Sequence, residues 1–220
     1  MILINSAEFD GKWELRKFMN DKKLQENITI EYYNNNANKF IRNTVIVNFV
    51  VTQEKFLAKL KRDSYILDFG CGSGRDTKYF LEHGYHVTAI DGSIELCKAA
   101  TQYTGIPVKH MLFQELDDTN TYDGIWACSS ILHLPLPELE DVLNRMAIAL
   151  KNNGIIYTSF KYGTYQGERN GRYFTDMTEE TFSNLLQNIK ELKIEDQWIT
   201  SDVRPGRGDE KWLNIILRKS

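Results

Sequence analysis

An α/β fold built on a parallel sheet is what the 220-residue sequence predicts, and three observations predict it. An apolar run ending in an acid, Tyr65-Ile66-Leu67-Asp68, passes through Gly70, Gly72 and Gly74 into a helix-compatible stretch that opens at Arg75. Strand-like and helix-like segments then alternate as far as Phe160, the order that gives parallel strands joined by crossover helices. The composition, 42% hydrophobic with fourteen glycines, four prolines and no repeat, suits one domain of ordinary size with a buried core.

Taken in order, residues 1–30 read as an N-terminal extension, with Phe9, Trp13 and Leu15–Met19 suggesting a short amphipathic helix, and residues 31–220 as the single domain. Val47, Val51, Phe56, Leu57 and Leu60 fall near helical spacing, which predicts a helix over Thr44–Leu60 packed on the sheet. The first strand hands over at Asp68 to a helix through Phe80 and Leu81 that stops near Gly84. His86–Ile90 is the second strand, ending at Asp91; Ser93 caps a helix through Leu96 to Ala100; Val108–Leu112 is the third strand. Tyr122–Ala127 is the fourth, and a helix over Leu136–Leu150 follows with Leu139, Val142, Leu143, Met146 and Leu150 on one apolar stripe. Asn152-Asn153-Gly154 turns the chain into a fifth strand, Ile155–Phe160, and Lys161–Phe174 reads as a long loop. Thr178 caps a helix to Leu186, with Glu179 and Glu180 complementing its dipole, and Leu192–Ile199 and Trp212–Leu217 are two late strands.

A net charge of −3, no basic tail and no N-P-P-Y-type sequence after the fourth strand argue against a nucleic-acid partner. The apolar runs at Met1–Ile4 and Val45–Val51 are too short for a signal peptide or a membrane span. Cys71, Cys97 and Cys128 form no C-x-x-C pair and have no histidine at ligand spacing, so they read as free thiols of a cytoplasmic protein, with no metal site.

Glycines at alternate positions let a backbone approach a ligand closely, and the helix that follows aims its free N–H groups at the same place. Dinucleotides such as NAD and the sulfonium S-adenosylmethionine (SAM) both use such a turn. A dinucleotide fingerprint needs G-x-G-x-x-G/A, and here the third small position is Arg75. The glycines read G-x-G-x-G instead, with Asp68 two residues before Gly70, where it can accept from a cationic amino group or from the loop backbone. Asp91 can accept both hydroxyls of a ribose and fits either ligand.

On those residues, L-D-F-G-C-G-S-G at Leu67–Gly74 resembles the first motif of class I SAM-dependent methyltransferases, and V-T-A-I-D-G-S at Val87–Ser93 resembles the second. The resemblance runs from Tyr32 to the C-terminus and is nearest to small bacterial enzymes of the tellurite-resistance and ubiquinone-biosynthesis type. It implies a Rossmann-like, seven-stranded, mostly parallel sheet with helices on both faces and a C-terminal antiparallel strand, the last two strands forming a hairpin at the sheet edge. It implies SAM as cofactor, with Asp68, Gly70, Cys71, Gly72 and Gly74 around the methionine end and Asp91, Gly92 and Ser93 at the ribose. Phe113 and Gln114 would meet the adenine, and Cys128 and Ser129 the sulfonium. Phe113 reads equally well as a core residue.

The acceptor side is drawn from scattered residues. The resemblance makes Tyr33 a lid over the cofactor; a packing role is the alternative. His133 follows the fourth strand at its carboxyl end, where open α/β sheets bind ligands, and reads as a general base, a substrate orienter or a structural histidine. Lys161, Tyr162, Arg169 and Arg172 sit among glycines and aromatics, and Arg204 lies in the connector Asp202–Lys211. That mixture suits a small-molecule acceptor of anionic or aromatic character, the alternative being a surface loop whose arginines pair with Glu168 and Asp176.

The reaction these readings imply is methyl transfer from SAM. Two rivals stand beside it: an NAD(P)-dependent oxidoreductase using the same turn and Asp91, and a non-catalytic SAM-binding module. Tyr157 and Lys161 have the Y-x-x-x-K spacing of short-chain dehydrogenases, but in a strand that spacing separates them by about 13 Å instead of one helical turn.

Overall fold

The computed structural model describes residues 28–220 except Pro205, so the helix expected around Phe9–Met19 lies outside the described residues. Five strands, β1 (Tyr65–Phe69), β2 (His86–Asp91), β3 (Val108–His110), β4 (Tyr122–Ala127) and β5 (Leu150–Lys161), pair in parallel. A separate hairpin, β6 (Gln166–Arg169) and β7 (Arg172–Thr175), follows, and then β8 (Leu192–Ser201) and β9 (Lys211–Lys219). The main sheet has seven strands in the order β3-β2-β1-β4-β5-β9-β8, with β9 antiparallel to both neighbours and β8 at the edge. Consecutive strands diverge from β1 to either side, so the β1/β4 boundary is the switch point at which ligands bind in such sheets.

Among the described residues six helices flank the sheet: α1 (residues 28–44), α2 (Val50–Leu57), α3 (Arg75–Glu82), α4 (Ile94–Thr104), α5 (Leu136–Ala149) and α6 (Glu179–Leu186). The two-residue period of the strands sends alternate side chains to opposite faces. Leu67, Ile125, Ile156 and Ile215 pack under α5 and α6, while Ile66, Trp126, Tyr157 and Ile216 pack with Phe56 of α2 and Phe80 of α3. Register sets Asp68, Trp126, Tyr157 and Ile216 in one row across the second face. Trp126 and Tyr157 stack with ring centroids 4.0 Å apart. That row explains the Y-x-x-x-K pair: Tyr157 is fully buried and donates to Asn214 Oδ1 at 2.7 Å.

Four expectations are corrected. Helix α2 begins at Val50, not Thr44, because the chain before it belongs to α1, which ends at residue 44 and whose polar asparagines hid its apolar side. The third strand stops at His110. Asn152-Asn153-Gly154 does not turn into β5 but lies inside it, at a register shift where Asn153 takes φ 62°. Residues 161–174 are not a loop: Asn170 (φ 52°) and Gly171 (φ 73°) make the two-residue turn of the β6/β7 hairpin. Asn-Gly between alternating residues is the strongest local hairpin signal, and it was present in the sequence. Among the described residues no helix is long and apolar enough to cross a membrane, and no group of three or more His, Cys, Asp or Glu side chains could hold a metal ion.

Candidate active site

A cleft opens over the carboxyl ends of β1, β2, β4 and β5. Its floor is the glycine turn. Gly70 and Cys71 donate their N–H groups to Ile90 O at 3.0 and 2.9 Å, tying the turn to the end of β2. Gly70 takes φ +87°, and a Cβ there would stand 2.5 Å from Ser130 Cβ, so backbone and neighbouring strand end approach as only glycine permits. Ser130 Oγ in turn donates to Phe69 O at 2.6 Å.

Asp91 lines the cleft beside this turn. Its Oδ2 accepts from Gly72 N and its Oδ1 from Ser93 N, each at 2.8 Å. Burial pushes its carboxyl pKa up and the two backbone donors oppose that. Each oxygen keeps a lone pair for a further donor, so the carboxylate is rigidly aimed yet unsaturated. Asp68 sits deeper. It is 2% exposed, does not line the cleft, and accepts from Thr77 Oγ1 of α3 at 2.5 Å. Burial and the neighbouring Asp76 raise its pKa, and Thr77 lowers it. In this arrangement Asp68 fixes the start of α3 under the glycine turn.

The rest of the cofactor set is gathered as expected in space, except that Gly74 lies behind the wall, packed toward Thr104 and Ala100. Phe113 lines the cleft and also packs on Phe69 with centroids 4.7 Å apart, so both readings of it hold. Gln114 lines it with its amide nitrogen donating to Glu138 at 2.5 Å. Cys128 and Ser129 form the wall beyond Gly70, Ser129 with φ 53° and its N–H on Ser159 Oγ at 2.9 Å. Burial holds the Cys128 thiol up at about 12.

Helix α1 closes the cleft from above. Ser93 Oγ donates to Asn34 at 2.7 Å, Tyr173 N donates to Thr29 Oγ1 at 3.1 Å, and the Tyr33 hydroxyl meets His133 Nε2 at 2.8 Å. His133 Nδ1 lies 2.6 Å from Tyr173 O, an acceptor only, so Nδ1 carries the proton and Nε2 accepts from Tyr33. Burial, with Arg172 and Arg169 nearby, holds the imidazole down at about 3 against the backbone carbonyl's opposing pull. This histidine is neutral and its second nitrogen is already occupied.

Of the five substrate candidates beyond Tyr33, Lys161, Arg172 and Arg204 line the cleft, and Tyr162 and Arg169 do not. The Tyr162 hydroxyl donates to Glu179 on the exterior, and Arg169 pairs with Asp176 and lies over Tyr165 and Phe174. Sequence reasoning missed several lining residues. Arg75 forms a fork with Asp76 at 2.8 Å and stands 4.7 Å over Phe49, while Asp76 also accepts from Gln53 and Trp126. Phe40, Thr44 and Val47 from the α1 end, Arg207 from the β8/β9 connection, and Trp212 and Asn214 of β9 complete the far wall. Nothing in their local spacing marks them, since they meet only through the tertiary fold.

Compared with known proteins, residues 66–154 match the family described as "Methyltransferase domain". That match and the strand order give this stretch the fold of class I methyltransferases. An uncharacterized methyltransferase of Staphylococcus carnosus is 24% identical over 135 residues, 58% of this chain and 65% of that protein. The malonyl-[acyl-carrier protein] O-methyltransferase of Salmonella typhimurium is 27% identical over 95 residues, 41% of this chain and 36% of that one. The chain spans less than two thirds of the length of the curated relatives it matches. Among solved structures, the 1,6-didemethyltoxoflavin-N1-methyltransferase of Burkholderia thailandensis, determined with S-adenosylhomocysteine (SAH), superposes with a TM-score of 0.69 at 23% identity. It covers 100% of this chain and 92% of its own. The match ends at residue 154, inside β5, so α1, the β6/β7 hairpin and the β8/β9 pair, which line the far end of the cleft, lie outside the matched stretch.

Proposed function

We propose that the protein is a SAM-dependent methyltransferase acting on a small molecule, in a reducing cytosol where its three free cysteines stay thiols. One observation carries the reading. Asp91 lies beside the Gly70 turn at the sheet's switch point, with both oxygens aimed by backbone N–H groups and a lone pair left on each. A ribose diol supplies the two donors that such a carboxylate lacks, and the missing Cβ at Gly70 lets the turn close against Ser130 and Phe113 of the same cleft.

In this reading Gly70, Cys71, Gly72 and Gly92 cradle the cofactor, Asp91 takes the ribose, and Phe113 and Gln114 take the adenine. Cys128 and Ser129 line the sulfonium. SAM supplies an activated methyl group, so the protein's share is alignment and exclusion of water. Helix α1, held at Thr29, Tyr33 and Asn34, provides the cover. The acceptor end is aromatic and cationic, which suits a planar or anionic small molecule; Tyr33, Phe174 and Trp212 give it flat apolar faces.

The oxidoreductase rival has no equivalent support. Tyr157 is buried on Asn214, and Lys161 is paired with Glu210. Calorimetric titration with SAM, SAH and NADPH tests the proposal. SAM and SAH should bind, the nicotinamide should not, and Asp91→Ala should abolish binding of both sulfur ligands. NADPH binding without SAM binding would overturn it.

A further inference from the structure

Among the described residues five cationic side chains line the cleft, and four have a carboxylate partner. Arg75 is on Asp76, Lys161 and Arg207 are on Glu210, and Arg204 is on Asp202. Arg172 is the fifth. No carboxylate lies within ion-pair reach of it among the described residues. Its hydrogen bond there is a long one, 3.3 Å from Nη1 to the Tyr33 hydroxyl, and its Nε is buried without any acceptor. The guanidinium lies 4.4 Å over Tyr32 and 5.1 Å over Phe174, which fix its plane without neutralising it.

A half-buried guanidinium without a counter-charge is unfavourable, and it becomes favourable when a planar anion enters opposite its fork. The Tyr33 hydroxyl cannot serve as that anion, because its own proton is committed to His133. Lys161 and Arg207 share Glu210, so five lining cations face three partner carboxylates, and Arg172 is the one among them that meets none. A flat carboxylate pairs with its fork in one plane, whereas a tetrahedral phosphate projects oxygens out of that plane.

Resting on the methyltransferase reading, we propose that the acceptor is a small organic carboxylate, and that Arg172 is the specificity-determining residue that binds its carboxylate group. Tyr33 and His133 position the arginine and the lid, and neither supplies a base. The test uses SAH-loaded protein titrated calorimetrically with benzoate and phenylacetate, each against its neutral amide, and with inorganic phosphate. At least one acid should bind tenfold or more tightly than its amide and more tightly than phosphate. Arg172→Gln should erase that preference while SAH affinity is unchanged, and Arg172→Lys, which keeps the charge without the fork, should retain part of it.

Equal binding of acids and amides, no binding of either acid, tighter binding of phosphate, or a preference that survives in Arg172→Gln would each overturn the proposal. Should Arg172→Gln fail to fold, Arg172→Lys decides: partial loss of the preference supports the assignment, and full retention overturns it. Failure of SAH itself to bind would instead remove the methyltransferase reading, and the anion preference is then read on the free protein.

Discussion

Asp91 receives one N–H from the turn before it and one from the helix cap after it. An amide in its place can accept with one end only, so Asp91→Asn sets an NH2 group against a backbone N–H and also loses a ribose acceptor. Charged hydrogen bonds contribute about 1.5–3 kcal/mol each, so SAH affinity should fall at least tenfold, checked by calorimetry; unchanged affinity would remove Asp91 from the cofactor site. This residue was legible because a strand end, an acid and a glycine turn follow one another in sequence. Arg172 was named among the candidates, yet its distinction from Arg169 three residues earlier was not legible. The two sit in one hairpin, but Arg169 finds Asp176 and Arg172 finds aromatic rings. Spacing along the chain does not tell which arginine acquires a counter-ion.

At the level of elements, the sheet and its helices followed from periodicity, whereas the cover over the cleft did not. Helix α1 carries four asparagines, Asn34, Asn35, Asn36 and Asn38, within one short stretch, and asparagine is a poor helix former. Its docking residues Thr29, Tyr33 and Asn34 compensate by bonding to three separate elements. Tyr33→Phe leaves His133 Nε2 and Arg172 short of a partner, and should lower stability by about 1–2 kcal/mol. The thermal midpoint measures this, and no change would mean that water replaces the hydroxyl. Glycine positions in α3 offer a cleaner contrast. Gly74 at its N-cap (φ +79°) and Gly84 just past its end (φ +81°) share a left-handed backbone. A Cβ at Gly74 would meet Thr104 Cγ2 at 2.8 Å, and one at Gly84 would meet nothing within 4 Å. Gly84→Ala should therefore cost about 1–2 kcal/mol from backbone strain alone. Gly74→Ala should cost about 1–3 kcal/mol more from forcing α4 away. Chemical denaturation of the two variants measures the difference, and equal losses would mean that the α3–α4 contact yields freely.

For the whole molecule, the buried titratable groups set how stability responds to pH, and they pull in opposite directions. Asp202 and Glu210, held down at about 2 by Arg204 and Arg207 among other donors, contribute stability above the ordinary carboxylate range and lose it as pH falls toward 2. Asp68 and Asp91 are raised by burial, so their contribution is present at low pH and is lost as pH rises through their elevated values. His133 controls the middle. Its folded value of about 3 lies below the ordinary 6.5, so the unfolded chain binds a proton that the folded chain refuses. Its contribution is complete above 6.5 and falls, by up to about 1.4 kcal/mol per pH unit, as pH drops from 6.5 toward 3. His133→Asn keeps one donor and one acceptor for Tyr173 O and Tyr33 but cannot titrate. The stability difference between the wild type and this variant should thus be constant above pH 7 and shift in favour of the variant by several kcal/mol down to pH 4, as measured by denaturant melts across that range. A difference that stays constant throughout would mean that the imidazole protonates freely inside the folded cleft. In that case His133 has access to water and to a proton, the neutral positioning role assigned to it fails, and general-base catalysis by this residue becomes the reading that the chemistry supports.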